Sequence, residues 1–377
     1  MSDVQRAGQP DPELPALEAA LDEVTAGAAA RDAAGPPAPF PEAAIAALEA
    51  AGALCWNATP GSSRPPAELE LQLVRRVAAA DGSVGRIYDG HLNAVERIAV
   101  QAPAAVRDRE LRAVLAGELR AGVWGGDPLP GEGPPAAVID GDGGEVLRGV
   151  KTFCSGAGGL HRALVLARDQ TSSAQAAAAP VPPVLVWIDL TDAHRVEVDT
   201  GWYRSRGLVA SVSHRVVFHD APVLARLGEP GAIAQQPWFG RDALRTAASW
   251  AGMADTAVAA ATAALGQRPG RGDLESLAMG RMLTEQRTID VWLAAAARAM
   301  DAAAAADLAA VSVHARAAIA AACRRLLDEA ARGCGSHPFA TAGALDRARR
   351  DLEVFLLQHR LDPLLARAGR AVLEGES

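Results

Sequence analysis

The stretch from Gly149 to Gly159, GVKTFCSGAGG, is the first place where residue types suggest chemistry. Small residues leave backbone N–H groups open, and with the hydroxyl of Ser155 beside them they let a flat polar ring system come close. A strand that simply ends in a glycine-rich turn would carry the same letters, so the stretch does not decide by itself. It is not the GxGxxG of a dinucleotide site, because the run that follows, ALVLARD, reads as a strand and not as the helix such a turn requires. The cysteines Cys55, Cys154, Cys323 and Cys334 form no CxxC pair, which argues against both a zinc site and a disulfide framework. Cys154, alone in a strand, reads as a small buried apolar residue and not as a nucleophile. His161, His194, His214, His219, His314 and His337 fall at no metal-like spacing, so no metal is expected.

Three kinds of texture surround that stretch. From Glu13 to about Ala121 apolar residues recur at helical spacing, with Pro41 near a helix start and Pro60, Gly61, Pro65 and Pro66 making a loop. From there to Gly231 the chain turns to short β-rich runs such as LRGVKTFCSG, PVLVWIDL and HRVVFHD, separated by Gly, Pro and Asp. QTSSAQAAAAPVPP among them reads as a surface loop. Beyond Trp238 the helical period returns over Asp242–Leu265, Asp273–Ala305, Val311–Cys334 and Gly343 to the end, the pattern of an antiparallel four-helix bundle. The expected fold is therefore α+β and mainly α. Its parts are an N-terminal helical domain over 1–120 with a partly irregular lead over 1–38, a middle β-barrel-like domain over 121–232, and a C-terminal four-helix bundle over 233–377.

Composition narrows the function classes. A net charge of -8 offers no electrostatic footprint for nucleic acid. Half of the residues are apolar, enough for a substantial core, yet no run of about 18 apolar residues occurs and the first residues lack a signal-peptide pattern. A protein of the reducing cytoplasm, outside membranes, is the expectation. Lys151 is the only lysine, so every other fixed positive side chain is an arginine.

Taken in order, several motifs resemble the acyl-CoA dehydrogenase superfamily over about Phe40 to Leu373. They are ADGSVGRIYDGHLNAVERIAV, GVKTFCSGAG, DTGWYRSRGLVASVSHRVVFHDAPV, ALRTAASWAGMADTAVAAA, RGCGSHPF and RARRDL. The resemblance implies a flavoenzyme, with FAD or FMN between the β-domain and the C-terminal bundle, and a homodimer or homotetramer built through that bundle. By position it assigns Phe153 and Ser155 to the isoalloxazine ring and Trp124 and Gly125 to the preceding flavin-side loop, although VWGGDPLPGEG replaces the family's usual Thr-Glu-Pro wording there. Arg268 falls where an arginine meets the flavin phosphates of a neighbouring subunit, a task its guanidinium fork suits. Gly333 and Gly335 resemble the Gly-Gly turn that approaches the same cofactor.

The catalytic base departs from the dehydrogenase pattern. A dehydrogenase removes an α-proton with a glutamate, but the usual position falls on His359 and the alternative one near Arg245; Glu353 lies about a turn and a half away on a helix. Histidine there is similar to the reduced-flavin-dependent monooxygenase branch, which includes dibenzothiophene monooxygenase, and His91, Ser155 and His359 match its pattern. An imidazole donates a hydrogen bond or takes a proton near neutral pH. The implied function is a two-component monooxygenase-like enzyme that receives reduced flavin from a separate reductase, forms a C4a-peroxyflavin and oxygenates a small organic substrate. Two alternatives stay open: an acyl-CoA dehydrogenase with a non-standard base, served by an electron-transfer flavoprotein, and a fold relative that has lost catalysis.

Overall fold

The computed structural model describes residues 14–58, 64–176, 179, 181–270, 272–302, 305–358 and 360–375. The N-terminal part holds α1 (Leu14–Ala33), α2 (Glu42–Ala50), α3 (Ala67–Ala80), α4 (Gly82–Gln101) and α5 (Ala104–Leu115). Proline marks three of these helix starts, with Pro41, Pro66 and Pro103 at the N-caps of α2, α3 and α5. Asp81 caps α4 with its side chain, accepting hydrogen bonds from Ser83 N at 2.8 Å and Val84 N at 3.2 Å. Helix α4 is buried on every face from Gly82 to Ala99, although its sequence carries Arg86, Asp89, His91, Glu96 and Arg97. A helix that is polar and yet enclosed must find its partners inside the protein.

Those partners come from α3 and from α7 (Trp238–Gly266). Arg241 spans Glu96 at 2.7 Å and Glu70 at 2.8 Å, while Arg245 meets Glu70, Glu96 at 2.7 Å and Asn93 at 2.9 Å. Burial alone would raise Glu96, but the guanidiniums of Arg245, Arg241 and Arg64 outweigh it and hold its carboxyl at about 2. The close helix approach depends on glycine as well. A Cβ on Gly85 of α4 would lie 2.6 Å from Ala78 Cα, and one on Gly252 of α7 would lie 2.1 Å from Arg75 O, both on α3.

The middle of the chain forms β1 (Ala121–Trp124), β2 (Ala137–Gly141), β3 (Gly144–Cys154), β4 (Arg162–Asp169), a short α6 (Ser172–Gln175), β5 (Val184–Asp189), β6 (Val196–Asp199) and β7 (His214–Arg226). Hydrogen bonds run β4–β2–β3–β7–β5 and return from β5 to β4, so the path closes, with β1 added on β4 and β6 on β7. Closure leaves few bare edges. Within the stretch expected to be loop, Thr171 caps α6.

After α7 come α8 (Asp273–Asp301), α9 (Ala305–Cys334), a short α10 (His337–Ala340), α11 (Ala344–Gln358) and α12 (Asp362–Leu373). Helices α7, α8 and α9 pack on one another and α11 lies along α7. The single helix expected from Gly343 onward is two, because Pro363 belongs to a first helical turn and starts a new element. Among the described residues no helix is long and apolar enough to cross a membrane.

Candidate functional site

A cleft of about 590 Å³ opens between the strand region and the C-terminal helices. The strand side is built by the end of β3. Its ladder with β7 shifts register between Lys151 and Cys154, and Phe153 is forced to φ 54°, a left-handed conformation uncommon for a bulky residue. The phenyl ring stands 57% exposed at the cleft and meets Trp202 edge-on, centroids 4.9 Å apart. Strained backbone of this kind concentrates where function requires it. Next to it the Ser155 hydroxyl is hydrogen-bonded to Ser213 Oγ at 2.8 Å, which in turn meets Ser211 Oγ at 2.8 Å, so a file of hydroxyls leads from the cleft into the interior.

The rim loop is pinned from below. Lys151, almost fully buried, donates to Asp127 Oδ1 at 2.7 Å and to Gly125 O at 3.4 Å, and Thr152 N donates to Gly126 O at 3.0 Å. Gly126 must be glycine at this approach, since a Cβ would fall 2.5 Å from Thr152 O. Gly125 and Gly126 therefore present bare backbone to the cleft.

The residues expected from the sequence divide into three groups. Gly125, Phe153 and Ser155 line this cleft together. Arg268, Gly333 and Gly335 line a separate hollow of about 410 Å³ between α8, the end of α9 and the connection that follows α7, where Arg268 Nη1 donates to Gly333 O at 3.0 Å. His91 and Trp124 line neither the cleft nor that hollow. His91 is buried with both ring nitrogens hydrogen-bonded: its Nδ1 accepts from Ala121 N at 3.1 Å, its Nε2 donates to Leu54 O at 2.9 Å, and burial pushes the imidazole down to about 4. It is a neutral crosslink between α4 and β1. The buried ring of Trp124 supports Ser155 from behind, Nε1 donating to Ser155 O at 3.0 Å. His359 lies outside the described residues; its neighbours Gln358 and Arg360 line the cleft.

Other residues belong to the site without having been singled out in the sequence. Arg86, Tyr203, Leu208, Ser213 and Phe355 line the cleft, and no carboxylate does so among the described residues. Arg245 is enclosed among acids and Glu353 is exposed with Arg349, so neither stands in for a base. Cys154 is fully buried, and burial pushes its thiol far up. No group of three or more metal-ligating side chains is placed to hold an ion among the described residues.

One buried acid ties the two walls together. Asp351 of α11 accepts the Leu208 N–H at 2.6 Å, holding Leu208 at φ 51°, and Gly207 touches α11 so closely that a Cβ would lie 2.1 Å from Arg350 O. Burial raises Asp351 to about 7, with Asp81 and Asp32 adding to the rise, against the Leu208 hydrogen bond and Arg350. The ordinary value is about 4, so the native state prefers the protonated form. The stability this contributes is complete below about pH 4 and is lost as pH rises to about 7. Asp351→Asn keeps an acceptor for Leu208 and removes that loss. The variant is therefore expected to gain stability relative to wild type between pH 4 and 8, read from thermal midpoints across pH; parallel profiles would contradict the assignment.

No family model matches the chain and no curated protein matches it. Solved structures do. The dibenzothiophene monooxygenase TdsC from Paenibacillus sp. A11-2 superimposes with a TM-score of 0.81 at 18% identity, covering 96% of this chain and 97% of that one. Its complex with FMN and indole gives a TM-score of 0.82 at 17% identity with the same coverage. The HsaA monooxygenase from M. tuberculosis matches at a TM-score of 0.75 and 18% identity, covering 94% of each chain. The resemblance carried by the sequence motifs thus holds at the level of architecture, and the chain has the acyl-CoA dehydrogenase-like fold that these proteins share.

Proposed function

We propose that the protein is a flavin-dependent oxidoreductase of the monooxygenase kind, acting on a small organic substrate. The observation that carries this reading is the pairing of a strained Phe153–Ser155 turn with a cleft that offers no described carboxylate. A dehydrogenase needs a base for the α-proton, and the described lining supplies hydroxyls, a glutamine and arginines instead. The structural neighbours agree, being monooxygenases by name, with FMN in TdsC.

The residues present fit a flavin. The cleft has the size of a small-molecule site, its floor is bare glycine backbone at Gly125 and Gly126, and Phe153 offers an open aromatic face. Phe153 and Ser155 would hold the ring system. Arg268, with Gly333 and Gly335 beside it, would hold phosphate, and because its hollow is separate from the cleft it would serve the neighbouring subunit of a homo-oligomer. Reduced flavin, delivered by a separate reductase, supplies electrons for the activation of dioxygen when bound. Ser155 orients a hydrogen bond at the cleft floor, the hydroxyl file through Ser213 and Ser211 moves or holds its proton, and His359 stays the proposed proton donor and acceptor between Gln358 and Arg360.

The test is made on purified protein with FMN. Oxidised flavin is expected to keep its absorbance when a panel of acyl-CoAs is added without air. After reduction, mixing with dioxygen is expected to restore the oxidised spectrum more slowly than free reduced FMN does. Bleaching by an acyl-CoA would overturn the proposal in favour of a dehydrogenase, and no affinity for FMN or FAD would leave an inactive fold relative.

A further inference from the structure

Arg86 is nine-tenths buried, on the helical side of the cleft, and only part of its guanidinium is used. Nη1 donates to Asp89 Oδ1 at 2.5 Å, and Asp89, with no exposure of its own, is steadied by Ser249 Oγ at 3.2 Å. The group lies over the Phe355 ring, 5.5 Å from its centroid. Among the described residues Nε and Nη2 make no hydrogen bond, and Arg86 lines the cleft. These two N–H groups form the edge of an arginine that meets a carboxylate in two parallel hydrogen bonds. A guanidinium so nearly enclosed would gain charge-assisted hydrogen bonds from an incoming anion.

From this we infer that the substrate of the proposed reaction carries a carboxylate on a flat apolar body, and that Arg86 reads the carboxylate. Asp89 is not among the residues that line the cleft, so it fixes the guanidinium through Nη1 and leaves Nε and Nη2 to a ligand. The charged residues of the described lining are Arg86 and Arg360, and the latter stands exposed, where it draws anions in. Phe153, Tyr203, Phe355 and Leu208 supply the flat apolar enclosure. The inference rests on the cleft being the reaction site of the function proposed above.

The test titrates the full chain, with and without FMN, with benzoate and with its neutral analogue benzamide by calorimetry. Benzoate is expected to bind about 10- to 100-fold more tightly than benzamide. Arg86→Gln is expected to erase that preference while the FMN affinity stays within about 2-fold of wild type. Arg86→Lys keeps a charge beside Asp89 and protects the fold; it is expected to weaken benzoate about 10-fold through loss of the two-pronged edge. Equal binding of benzoate and benzamide by wild type would overturn the inference, as would an Arg86→Gln protein that loses FMN but keeps the preference. A wild-type protein that prefers benzoate yet binds no flavin would support the carboxylate site and sink the flavin reading alone.

Discussion

Arg245→Met is expected to cost about 3–5 kcal/mol of stability, because it strips one guanidinium from a cluster that water does not reach. Arg245 and Glu70 are completely buried, and so is Glu96. Each glutamate divides its oxygens between two arginines: Glu70 gives Oε2 to Arg241 and Oε1 to Arg245, and Glu96 gives Oε1 to Arg241 and Oε2 to Arg245. Methionine roughly fills the space but leaves one oxygen of each carboxylate with less compensation in a medium of low polarity. Asp242 loses a favourable neighbour as well, and burial already raises its carboxyl to about 6. Urea unfolding followed by circular dichroism measures the cost. A loss below about 1 kcal/mol would mean that water enters the cluster and screens it like a surface pair.

The second large effect is a reversal of sign. Alanine is a better helix former than glycine by about 1 kcal/mol, so Gly252→Ala in mid-helix should stabilise if local preference ruled. The packing against α3 predicts the opposite. The new methyl would lie 2.1 Å from Arg75 O and 2.7 Å from Ala79 N, and backbone atoms do not yield as a side-chain tip does. Destabilisation of about 3 kcal/mol or more is expected as α7 is pushed off α3. Gly280→Ala on α8 is the control, since nothing lies within 4 Å of its Cβ position. That change should raise the melting temperature, and the two variants measured side by side separate packing from propensity.

These cases show where sequence reading ends. The succession of helices, strands and helices follows from local periodicity, and the GVKTFCSGAG motif led to Phe153 and Ser155 on the cleft wall. Local pattern had no means of revealing that α4, with its charges at regular intervals, is enclosed on all sides. Its partners are remote in the chain, Glu96 meeting Arg245 across 149 positions. His91 shows the same limit from another direction. A histidine beside a motif reads as a catalyst until both ring nitrogens are found spent on Leu54 and Ala121. Arg86 escaped notice for the converse reason, because its place on the cleft wall exists only once Asp89, Phe355 and the cleft surround it.

Lys151 sits beneath the rim loop with its amine against Asp127. No other lysine exists in the sequence. Amine-directed reagents such as succinimidyl esters thus have one lysine to find, shielded for as long as the loop stays docked. The rate at which that nitrogen is acylated counts the moments when the loop lifts, so a mass-spectrometric label at one residue becomes a clock for access to the cleft.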